Sequence, residues 1–75
     1  MRVQVGQYWV YKGNEYRVVQ CDTLSVKDPN DGNWYDAVAY QASKDTDVPP
    51  NTYIRRLDDF LAKFKRPDEL GEDNA

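Results

Sequence analysis

"QYWVYKGNEYRVVQ", residues 7–20, decides how the rest of the chain is read. Two runs rich in aromatic and β-branched residues flank Lys12-Gly13-Asn14, and runs of this kind form strands whose side chains alternate between two faces. Gly13-Asn14 suits the positive φ angles of a tight turn, so residues 7–21 are expected to form a β-hairpin. Alternation sets Tyr8 and Val10 against Trp9 and Tyr11 in the first strand. In the second it sets Tyr16 and Val18 against Arg17, Val19 and Cys21. Both faces of the first strand are apolar. One must pack, and the other needs a cover or a partner.

Outward from the hairpin, Asp28-Pro29-Asn30-Asp31-Gly32-Asn33 is a strong loop signal, and residues 22–33 are read as a connection between strands. "WYDAVAYQA", residues 34–42, alternates as a third strand whose alanines permit close packing. The polar stretch 43–51, with Pro49-Pro50, is a second loop, and "TYIRRL", residues 52–57, reads as a fourth strand. Leu57, Phe60, Leu61 and Phe64 then fall at i, i+3, i+4 and i+7, one apolar stripe of a short helix, with Asp58 and Asp59 placed to favour its N-terminus. The alternative is a single helical turn followed by a closing strand over residues 62–66. Pro67 stops either element, and residues 67–75 are expected to be an acidic, disordered tail. The fold class is therefore mainly β: a small bent antiparallel sheet, or an SH3-like partly open barrel, over residues 1–66, with one short C-terminal helix or helical turn.

Seventy-five residues support one small core, and large rings are an efficient way to build it. Tyr8, Val10, Tyr16, Val18, Trp34, Val38, Tyr40, Ile54, Leu57 and Phe60 are the expected core, with Leu61 and Phe64 available to cover the opposite face. Cys21 is the only cysteine and there is no histidine, which rules out an intramolecular disulfide and a Cys/His zinc site within one chain. No run approaches a membrane span and the N-terminus lacks the apolar core of a signal peptide, so a reducing cytoplasm is the expected setting. No cofactor is implied.

Catalysis has little to stand on. There is no Gly-rich phosphate loop and no base to activate Cys21, which reads as a small buried apolar residue. Asp36 is the carboxylate most favoured to lie among apolar neighbours, and its ordinary reading is a charge paired across strands. The net charge is −3, yet Arg55, Arg56, Lys63, Lys65 and Arg66 lie close together, a local positive run in an acidic chain. With the rings that alternation leaves outside the core, this run defines a candidate partner-binding set of Trp9, Tyr11, Tyr35, Tyr53, Arg55 and Arg56. The expected function is a non-catalytic protein-binding module, of a size that suits a bacterial or bacteriophage accessory or inhibitor protein. The alternative is a small nucleic-acid-binding module that stacks bases on exposed rings and neutralises phosphates with the basic run.

Gly6, Tyr8, Tyr11-Lys12-Gly13-Asn14, Tyr16, Val18, Val38, Tyr40-Gln41-Ala42, Tyr53-Ile54-Arg55 and Phe60 together resemble the short bacterial family catalogued as domain of unknown function 1653. The resemblance spans residues 6–64, and its most distinctive part is the Gly-x-Tyr-x-x-Tyr-Lys-Gly-Asn opening. It implies a compact β-rich domain and no particular activity. Members usually carry a histidine-containing segment where this chain has Cys21-Asp22-Thr23-Leu24, and a proline where it has Arg56. No role of that histidine transfers.

Overall fold

A computed structural model describes residues 2–68. Five strands, β1 (Tyr8–Tyr11), β2 (Asn14–Gln20), β3 (Ser25–Lys27), β4 (Trp34–Ala42) and β5 (Tyr53–Arg56), form one open antiparallel sheet, followed by the helix α1 (Leu57–Lys63). The hairpin forms as its composition requires, but the turn is Lys12-Gly13 and Asn14 already belongs to β2. Both turn residues have positive φ, 51° and 78°, the geometry that matches the twist of the flanking strands.

β4 organises the sheet. β2 pairs along its C-terminal half and β3 along its N-terminal end, on one edge, while β5 takes the other. β3 lies inside the stretch read from sequence as a connection; at three residues, its own alternation is too short to stand out beside the loop signal that follows it. A bulge separates the two parts of this edge, since Val18 faces Tyr40 while Gln20 already faces Ala39. The extra residue reverses the alternation. Cys21 therefore joins the core face with Val18, against the expectation that it would share a face with Arg17.

The core reverses the expected choice of face for β1. Trp9 is 1 % exposed, whereas Tyr8 is 45 % exposed and Val10 only half-buried. Trp9 pairs with Tyr16, and the side of the sheet that carries them receives α1. Phe60 and Phe64 stack at 4.1 Å, Phe60 meets Trp9 edge-on at 5.2 Å, and Phe64 stacks on Tyr11 at 4.9 Å. The segment expected to cover a second face thus builds the only large core among the described residues. Val18, Val38, Tyr40 and Phe60 are buried as expected, but Trp34 and Ile54 are 67 % and 55 % exposed. Trp34 shares the alternation of Val38 and Tyr40, yet it sits at the strand's first position, beyond the layer that α1 covers. Ile54 lies opposite Ala39 on the face turned away from α1.

Of the two C-terminal readings the helix prevails. Phe64 leaves it in extended conformation, and only Lys65 pairs with β1, through reciprocal backbone bonds with Val10 of 2.7 and 2.9 Å. Pro67 and Asp68 are helical, and residues 69–75, read as the remainder of a disordered tail, lie outside the described residues.

Candidate binding surface

The six residues singled out from the sequence do not form one patch. Trp9 is core, capped by the guanidinium groups of Arg2 and Arg66 at 5.7 and 5.6 Å from its ring. Tyr11 is half-buried against Phe64. Arg55 turns inward: it donates to the Tyr40 hydroxyl at 3.2 Å and to Asp59 at 2.6 Å, which holds its guanidinium firmly charged. Tyr53 is exposed on β5, its ring 5.7 Å from that of Tyr40. Two separate pairs come together: the Arg55 guanidinium lies 5.4 Å from the centroid of the half-buried Tyr11 ring, and the Arg56 guanidinium lies 3.7 Å from that of Tyr35.

The pair of Tyr35 and Arg56 is built by three elements. Alternation puts Tyr35 of β4 and Arg56 of β5 on the same face, since Arg56 pairs with Ala37. The β3–β4 loop supplies Asp28, whose carboxylate accepts from Arg56 Nη1 at 3.1 Å and whose other oxygen accepts the Asn30 amide. The first turn of α1 supplies Asp58, which takes Arg56 through both carboxylate oxygens at 3.1 and 2.6 Å. Arg56 lowers the pKa of Asp58, and the bond donated by the Tyr35 hydroxyl lowers that of Asp31 while raising that of Tyr35. The guanidinium is thus fixed in orientation before any partner arrives.

Beside it lie two shallow concavities, about 440 Å³ lined by Arg56, Asp58 and Asp59, and about 180 Å³ lined by Tyr35, Asp36, Leu57 and Asp58. Trp34 adjoins Tyr35 in β4 and faces Lys27 of β3. Alternation alone groups Trp34 with the core; the signal that points elsewhere is its position between the Gly32-Asn33 turn and the exposed Asp36, at a strand end. Asp36 itself is exposed, not set among apolar neighbours.

The positive run is largely neutralised. Arg55 and Lys63 share Asp59, at 2.6 and 3.0 Å, and Arg56 is held by Asp28 and Asp58. Among the described residues no group of three or more metal-ligating side chains converges. None of the described helices is long and apolar enough to cross a membrane. No family model, curated protein or solved structure matches the chain.

Proposed function

We propose that this domain is a protein-binding module without chemistry of its own, and that it is recognised at the outer end of β4, where Trp34 stands exposed on one face and the stacked Tyr35 and Arg56 on the other. The observation that carries the reading is the exposure of Trp34, a large ring two-thirds open to solvent at the end of β4 and next in sequence to Tyr35, on whose ring Arg56 is stacked. Trp, Tyr and Arg are the residues that most often dominate protein interfaces, because each offers large contact area for little ordering cost. Asp28 and Asp58 bind Arg56 and Asp31 binds Tyr35, so the surface around this pair favours a partner that brings lysine or arginine side chains. The same carboxylates repel a phosphate backbone, and Arg55, Arg56 and Lys63, three of the five cations of the basic run, are already paired with carboxylates. A small accessory or inhibitor protein acting in the cytoplasm is the setting that suits such a module. The resemblance to a family of unknown function adds no activity to this reading.

The test is capture from a lysate of the host on immobilised protein, with and without nuclease, followed by affinity measurement on the captured species. Trp34→Ala is expected to weaken a nuclease-resistant protein partner by about 2 kcal/mol or more while the domain stays folded. Species that vanish with nuclease, and whose affinity depends on Lys65 with a change of about 1 in salt slope, refute it in favour of nucleic acid.

A further inference from the structure

A second surface lies on the opposite edge of β4, at the outer side of β5. Val18 donates its amide to Gln7 and accepts from Gly6, so its polar groups face β1. Its partner Tyr40 therefore directs its own amide and carbonyl toward β5, where it meets Tyr53. Alternation then aims the amide and carbonyl of Ile54 away from the sheet, on an edge to which none of the described strands pairs. Both side chains beside that edge are exposed, Tyr53 at 46 % and Ile54 at 55 %, on opposite faces.

We infer that this edge pairs with β5 of a second copy of the chain, antiparallel and two-fold symmetric about Ile54. The sequence of β5 is self-complementary in that register. Ile54 meets Ile54 of the second copy and exchanges two backbone bonds with it, while the Arg56 amide reaches the Thr52 carbonyl twice. On one face the two Ile54 side chains close over each other. On the other, Tyr53 of each copy lies across from Arg55 of the other copy, a ring against a cation whose side chain is 27 % exposed and held in place by Asp59 and Tyr40. Four residues are a short strip beside a standard interface, so the association is weak and concentration-dependent.

Sedimentation equilibrium of the full chain reads this directly. The weight-average mass is expected to rise from 8.7 kDa toward twice that value between about 10 μM and about 1 mM. Ile54→Pro removes only the outward amide and no bond to β4, so it should remain monomeric with a circular dichroism spectrum like the parent. Ile54→Lys, which opposes two like charges on the two-fold axis, should also be monomeric and decides the matter if the proline variant does not fold. Trp34→Ala should dimerise like the parent. A parent that stays at 8.7 kDa throughout, a dimer that survives Ile54→Lys, or a dimer lost in Trp34→Ala overturns the inference.

Discussion

The chain performs its own controlled comparison, because its two tryptophans lie at opposite extremes of burial, 1 % for Trp9 and 67 % for Trp34. Each becomes alanine by the same chemical change, so the difference in stability isolates the environment. Burying a tryptophan removes roughly 200 Å² from water, and truncating one in a packed core costs about 3–5 kcal/mol. At Trp9 this includes the edge contact to Phe60 and the bond from its indole N–H to Gln7 at 3.2 Å. A domain of this length is stable by roughly 4–11 kcal/mol, so Trp9→Ala is expected to lose a large share of its stability, with a steeply lowered urea midpoint. Trp9→Phe keeps most of the ring and leaves a measurable transition. Trp34→Ala should change stability by no more than about 0.5 kcal/mol. Urea titration followed by circular dichroism measures all three, and the fluorescence of each single-tryptophan protein should place Trp9 in an apolar setting and Trp34 in water. Comparable losses at both sites, or a Trp9→Ala protein with the parent's urea midpoint, would refute the assignment of the core to the Trp9 and Tyr11 face.

At Gly13 a Cβ meets nothing within 4 Å, so the cost of Gly13→Val is that of the φ of 78° alone, about 1 kcal/mol or more; Gly13→Asn should lose less, and thermal melts distinguish them. Asp59 is held below the ordinary carboxylate value of 3.8, first by Arg55 and then by Lys63, so its contribution is present above 3.8 and is lost as the pH falls from there through the folded-state value. Melting temperature should therefore decline on acidification in that range, and Asp59→Asn, less stable at neutral pH, should decline less steeply. Phe64→Ala should cost about 3–5 kcal/mol, since that ring touches Tyr11, Tyr16, Tyr40 and Phe60; an unaffected urea midpoint would show that the chain after α1 is peripheral.

Local chemistry by itself determined the hairpin, the long strand over residues 34–42, the edge strand after Thr52 and the helical stripe from Leu57, because turn residues and side-chain period are properties of neighbouring positions. It also determined that no disulfide or Cys/His zinc site exists within the chain. It did not determine which face of β1 is inside. Tyr8 and Val10 are as apolar as Trp9 and Tyr11, and only the docking of Phe60 and Phe64, fifty residues away, distinguishes them. The bulge at Val19 has the same origin: a single unpaired residue leaves the composition of β2 unchanged, yet it moves Cys21 from one side of the sheet to the other. The candidate surface was half legible. Tyr35 and Arg56 stood out as a ring and a cation, but their contact, the carboxylates that bind Arg56 and the exposure of Trp34 follow from where β4 runs past the covered layer. Side-chain period is local, whereas the choice of face and the end of the core are decided by packing between segments distant in sequence.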